Sequence, residues 1–186
     1  MKRLIDFLFA VILLLILAIP MILVAVLIKI TSKGPVLYWS QRFGKNEALF
    51  MMPKFRTMKT NAPILATHLF INPEKYLFSF GSFLRKYSID EFPQLFSILK
   101  GEMSFVGPRP ALFSQDDLML LRIKSGVASL CPGLTGWAQI NGRDNLSIQE
   151  KVTFDLEYMK NQSFWLDFKI LWMTLLKVFK RDGVSH

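Results

Sequence analysis

Hydrophobic and polar positions divide the chain into one long apolar run followed by shorter amphipathic stretches. Between Asp6 and Lys29, FLFAVILLLILAIPMILVAVLI is 22 residues without a charge or a hydroxyl. As a straight helix it measures about 33 Å, enough to cross a bilayer core. It is too long for a cleaved leader, and no small-residue cleavage site follows it. Pro20 lies well inside the run, where its ring and missing donor favour a bend. Two forms are open: a spanning helix that tolerates the proline, or a helix bent at Ile19-Pro20 that leaves by the face it entered. Residues 34–59 read as a β-hairpin, with Val36 to Gln41 outgoing, Gly44-Lys45-Asn46 as the turn and Ala48 to Phe55 returning. Residues 61–75, with Pro63 and Pro73, read as a loop. Helical spacing marks Tyr76 to Lys86, about 90–100 up to Gly101, Leu112 to Lys124, Ser147 to Asn161 and Ser163 to Arg181.

Charge sharpens this picture. The chain carries 23 basic and 14 acidic residues, a formal +9, although 52% of it is hydrophobic. Neither a disordered basic tail nor an ordinary water-soluble domain combines these properties. Lys2 and Arg3 flank one end of the apolar run and Lys29, Lys33, Arg42 and Lys45 the other, which draws both ends to the cytoplasmic side. The last segment sets Trp165, Phe168, Trp172 and Phe179 among Lys169, Lys177, Lys180 and Arg181, a pattern that suits a headgroup-level helix or a core helix with a solvated basic edge. No nucleic-acid recognition motif accompanies the charge. The single cysteine, Cys131, excludes a disulfide framework, and two histidines leave no Cys/His zinc cluster. There is no Walker lysine loop, no G-x-G-x-x-G and no H-E-x-x-H. A histidine-dependent hydrolase would have to use His68 or His186, and neither has a flanking motif.

Candidate chemistry concentrates in RKYSIDEFPQLFSILKGEMSFVGPRP, residues 85–110. Asp90 and Glu91 are adjacent acids at a helix start. With Ser88 as N-cap, Pro93 falls inside the helix, so Asp90 is the expected N-cap, with Pro93 in the first turn. In PKFRTM, Lys54 and Arg56 alternate along a strand and share a face. GPRP fixes Arg109 between two prolines, and a planar guanidinium suits two phosphate oxygens. PGLTGWAQINGR supplies glycines that permit close backbone approach and ends on Arg143. Acids ringed by rigidly mounted cations beside a membrane suit a reaction between a phosphate-bearing polar substrate and a lipid.

These islands, KRLIDF with its proline-bearing helix, QRFGKN, KFRTM, SIDEFPQL, KGEMSFVGPRP, PGLTGWAQINGR and FWLDFKILW, occur in an order that resembles the bacterial sugar transferase family along essentially the whole chain. Those proteins are monotopic phosphoglycosyl transferases that begin glycan assembly on polyprenol phosphate, and the resemblance is to their minimal form. It implies a UDP-sugar donor, Mg²⁺, release of UMP and a covalent aspartyl phosphosugar passed to polyprenol phosphate, opening O-antigen, capsule, exopolysaccharide or glycoprotein synthesis. Carried onto this sequence, Asp90 is the nucleophile, and Glu91 assists with metal or acceptor deprotonation, the metal falling to Asp90 and Glu91. Lys54, Arg85 and Arg109 surround the substrate phosphates, and Arg143 and Asp167 are candidates for the nucleotide end. The resemblance also implies re-entry at Pro20 and a location on the cytoplasmic face of the bacterial inner membrane, among membrane lipids.

The expected fold is therefore α+β and mainly helical: a kinked re-entrant membrane helix over residues 1–32, then a catalytic domain over 33–186 with a small β-hairpin and several interfacial amphipathic helices. Two residues depart from the family pattern. Ile19 stands where Ser often precedes the proline, and Cys131 stands where Arg usually precedes PG-[IL]-TG, a cation that Lys124 or Arg122 would have to replace. The rival reading is a non-catalytic basic protein that binds anionic lipids. A polytopic transferase needs many spanning helices, and this chain has one apolar run. Nothing in the sequence fixes the sugar, the pathway or any homo-oligomer.

Overall fold

The computed structural model describes residues 1–60, 62, 73–142 and 145–180. Helix α1 (Lys2–Thr31) runs unbroken through Pro20. The break expected at Ile19-Pro20 is not seen: one missing donor leaves the remaining helical bonds in place, and apolar helices carry such prolines. At about 1.5 Å per residue the helix is roughly 45 Å long.

Along that length α1 lies against the rest of the molecule. Ala10 joins a core of Phe50, Met52, Leu95, Ile98, Met103, Phe105, Val106, Ile140, Tyr158 and Ile170, with Leu13, Leu14 and Leu17 at its edge. Further on, Val24 and Ile28 pack with Phe55, Phe78 and Leu84. Asp6, buried in an otherwise apolar helix, accepts hydrogen bonds from Ser104 Oγ (2.8 Å) and the Phe105 amide (3.4 Å), so its desolvation is compensated. The opposite face remains exposed, with Leu15, Ile19 and Ile30 each more than 70% accessible.

Strands β1 (Leu37–Phe43) and β2 (Leu49–Phe55) form the expected antiparallel hairpin, with Leu37 opposite Phe55 and Phe43 opposite Leu49. Its turn places Asn46 and Glu47 at positive φ. This register sets Tyr38, Ser40 and Arg42 opposite Lys54, Met52 and Phe50, all on one face. The expected loop over 61–75 lies mostly outside the described residues. A 3₁₀ turn spans Pro73–Tyr76, and helix α2 (Ser79–Lys86) follows.

After Ser88, a second 3₁₀ helix (Ile89–Gln94) leads into α3 (Leu95–Lys100). Gly101 ends α3 with φ +89°, a conformation open to glycine. Two short strands, β3 (Ser104–Val106) and β4 (Gly133–Thr135), pair in parallel. The remaining helices are α4 (Asp116–Lys124), α5 (Trp137–Ile140), α6 (Ile148–Lys160) and α7 (Phe164–Lys180). A capping box starts α6: Ser147 Oγ accepts from the Glu150 amide and Glu150 Oε2 accepts from the Ser147 amide. On α7, Ile170 is buried while Trp165, Phe168 and Trp172 are exposed.

Candidate active site

The hairpin supplies one wall of a cleft. Its shared face presents Arg42, Met52 and Lys54, and Glu91, Gln94, Arg109, Pro110, Gly133 and Leu134 complete the lining of a small open cleft. Lys54 Nζ donates to Glu91 Oε1 at 2.7 Å, across a half-buried ion pair.

Asp90 is next to Glu91 in sequence but sits differently. Consecutive residues in a 3₁₀ helix project about 120° apart, so when Glu91 lines the cleft its neighbour turns inward. Asp90 is 8% exposed. The expected N-cap role is not found: the N-terminal position of the 3₁₀ helix is Ser88, at φ +54°, with no side-chain cap bond. Asp90 lies within the 3₁₀ helix, and Pro93 is also inside it and buried. The carboxyl of Asp90 is pushed up to about 6. Burial is the main cause, Lys54 opposes it, the negative Glu91 adds to it and Arg85 opposes it. At neutral pH Asp90 is thus an anion held at a cost by its surroundings.

Arg109 is held through its backbone. Arg122 Nη1 donates to the Arg109 carbonyl at 2.8 Å while Nε and Nη2 grip Asp155 Oδ2 at 3.1 and 2.7 Å. The Gly133 amide donates to the Pro108 carbonyl and the Gly107 amide to the Thr135 carbonyl, both at 2.9 Å. A Cβ on Gly133 would come within 2.1 Å of the Gly107 nitrogen, so the GPRP and PGLTG segments can meet this closely only at glycine.

Arg42 was not among the residues expected here. Its Nε donates to Ser40 Oγ at 3.0 Å and its Nη1 to the Pro110 carbonyl at 3.2 Å, while the Phe43 amide donates to the Ala111 carbonyl. Burial and the nearby Arg109 charge lower Arg42 to about 10, against weaker support from Tyr38 and Glu91. It remains a cation at neutral pH. The two-residue alternation of the hairpin, carried across its turn, was the signal that places Arg42 with Lys54.

The structure thus brings Asp90, Glu91, Lys54, Arg85 and Arg109 into one neighbourhood and adds Arg42. Arg56, expected beside Lys54, serves elsewhere: it donates to the Pro35 carbonyl and to Ser32, stacking on Phe78, and so clamps the end of α1. Asp167 does not line the cleft; it accepts from Tyr158 Oη at 2.7 Å and pairs with Lys2. Arg143 lies outside the described residues. Cys131 sits half-buried near the Gly101 and Glu102 carbonyls, away from the cleft lining. Arg122 is committed to Asp155 and Arg109, and Lys124 is exposed, so neither enters the cleft in place of a cation at position 131. Glu102, whose backbone carbonyl lies near Cys131 Sγ, buries its Oε2 with no partner among the described residues.

No cluster of three metal-ligating side chains occurs among the described residues. The Asp90-Glu91 pair nevertheless fits a hard cation, because Mg²⁺ is commonly held by one or two carboxylates together with substrate phosphate oxygens and water.

The site thus sets a buried carboxyl, pushed up by desolvation and flanked by cations, on a body that exposes a long apolar helix. The chain belongs to the bacterial sugar transferase family, whose model matches residues 1–181. It is 41% identical to the undecaprenyl-phosphate glucose phosphotransferase of Komagataeibacter xylinus, over 98% of this chain and 36% of that protein. It is 38% identical to an uncharacterized sugar transferase, EpsL, of Bacillus subtilis, over 100% and 91%. A UDP-glucose:undecaprenyl-phosphate glucose-1-phosphate transferase of Escherichia coli is 36% identical over 96% and 40%. The chain therefore spans well under half of two of these relatives and nearly all of the third.

Proposed function

We propose that the protein transfers a phosphosugar from a UDP-sugar to undecaprenyl phosphate, releasing UMP, with Asp90 as the nucleophile. The observation that carries this reading is the environment of Asp90: a carboxylate kept inside the fold against its own desolvation, with Lys54 and Arg85 positioned to favour its charged form. In the first half-reaction an Asp90 oxygen forms a bond to the sugar-bearing phosphorus, and the phosphorus–oxygen bond to UMP breaks with the electron pair leaving on UMP. In the second, an acceptor phosphate oxygen bonds to that phosphorus and the carboxylate of Asp90 is restored. Lys54, Arg85 and Arg109 offset the charge that gathers on the phosphate oxygens. Mg²⁺ held by Asp90 and Glu91 would supply further charge neutralisation on the diphosphate.

The names of the Komagataeibacter and Escherichia relatives support undecaprenyl phosphate as acceptor, and the latter supports a UDP-linked donor. The exposed apolar faces of α1 and α7 support membrane attachment. Both ends of α1 contact the same folded body, which favours a helix embedded from the cytoplasmic side over one that crosses. UDP-sugars incubated with undecaprenyl phosphate and Mg²⁺ test the proposal: UMP and a lipid-linked phosphosugar form together, and neither forms with Asp90→Asn. A protein that only binds anionic lipid releases no UMP with any donor.

A further inference from the structure

The cations of the cleft fall into two groups. The charges acting on Asp90 are those of Lys54, Glu91 and Arg85; those acting on Arg42 are Arg109, Tyr38 and Glu91. Arg42 and Arg109 line the same cleft as the Lys54–Glu91 ion pair, and Glu91 is next to Asp90 in the chain. Among the described residues, neither Arg42 nor Arg109 has a carboxylate within ion-pair distance. Both guanidinium groups line one cleft and repel each other, and among the described residues the Arg42 side chain donates to Ser40 Oγ and the Pro110 carbonyl. A guanidinium carries five N–H donors, so several are left for an anion.

In-line displacement at phosphorus fixes what that anion is. If Asp90 attacks from one side, the UMP phosphate departs from the other. When the bond to Asp90 later breaks, the acceptor phosphate must enter from the side that UMP left. Both UMP and a polyprenol phosphate are phosphate monoesters, and both need one position, opposite Asp90.

We propose that Arg42 and Arg109 form a single phosphate-monoester site used twice, first by the departing UMP and then by the acceptor lipid. The proposal rests on the Asp90 reading above. It makes Arg42 a binding residue of both half-reactions, with the nucleoside and the lipid chain diverging beyond the shared phosphate.

The test uses the full-length protein in detergent or nanodiscs and the variants Arg42→Gln and Arg42→Lys. UMP and uridine affinities are measured by calorimetry, which needs no turnover, and KM for undecaprenyl phosphate by UMP release. Loss of charge-assisted, two-pronged contacts predicts that Arg42→Gln weakens UMP and raises the acceptor KM by about 10- to 100-fold each, with uridine binding unchanged. Arg42→Lys should recover only part of either. Loss on the UMP side alone, or on the acceptor side alone, overturns the shared site, and so does equal loss for uridine, which marks a structural role. Wild-type protein that binds UMP through Arg42 but shows no transfer would instead refute the Asp90 reading and leave the anion site standing.

Discussion

Asp90 links stability to chemistry at the level of one side chain. With its folded value at about 6 against an ordinary 3.8, folding favours the protonated form. The benefit of that neutral form is complete below the ordinary value and is lost as pH rises through 6, to a total of about 3 kcal/mol. Asp90→Asn removes this penalty while preserving shape. Thermal unfolding in detergent should therefore show the variant gaining on the wild type between pH 4 and pH 8, by an amount of that order, even as it loses the proposed transfer. No pH-dependent gain would mean that Asp90 is not held as a buried anion. If Asp90 is the nucleophile proposed, kcat/KM should fall as pH drops through about 6, because that carboxyl must be ionised to attack. The acidic pair and the three expected cations were legible in the sequence because short motifs name them. Arg42 was not, since its membership depends on which hairpin residues face one another.

Among the elements, the pairing of β3 with β4 was invisible in advance: three-residue strands carry no periodicity to read. The hairpin and the longer helices were legible because their periods run through several repeats. The N-terminus of the Asp90 segment was misread because a 3₁₀ turn accepts Pro93 differently from the α-helix that was expected. Helices α4 and α6 matter to the site through Arg122 and Asp155, buried at 6% and 1% exposure, which together brace the Arg109 backbone. Asp155→Asn leaves the Arg122 charge without its counterion and should cost about 3–5 kcal/mol in unfolding free energy. Replacing both partners, Arg122→Met with Asp155→Leu, should restore most of that stability. Activity should stay low in the double variant, because the donor to the Arg109 carbonyl is gone. Recovery of activity along with stability would show that the pair has no part in placing Arg109.

For the whole molecule, α1 is less a tether than a wall. Arg3 donates to the Ile98 and Leu99 carbonyls and Lys2 pairs with Asp167 at one end; Arg56 holds Ser32 and Lys29 donates to the Gly34 carbonyl at the other. The sequence points to a bend at Pro20 as the means of keeping both ends on one side; helical backbone continues through that proline, and the fastening of both ends to one body holds them together independently of any bend there. Pro20→Ala alone should then leave both ends of α1 on the same side of the membrane. A cysteine at residue 2 in a Cys131→Ser background, with or without Pro20→Ala, should resist an impermeant maleimide in intact spheroplasts and react after permeabilisation. Labelling in intact spheroplasts would show a crossing helix.

A covalent intermediate on Asp90 would be visible to intact-protein mass spectrometry. Purified protein incubated with Mg²⁺ and a UDP-sugar it can use, without any lipid acceptor, should gain the mass of one phosphosugar and release about one UMP per active site before stalling. Asp90→Asn should gain nothing. Unchanged mass, with the first UMP appearing only when undecaprenyl phosphate is added, would exclude the Asp90 intermediate and indicate direct transfer between the two substrates.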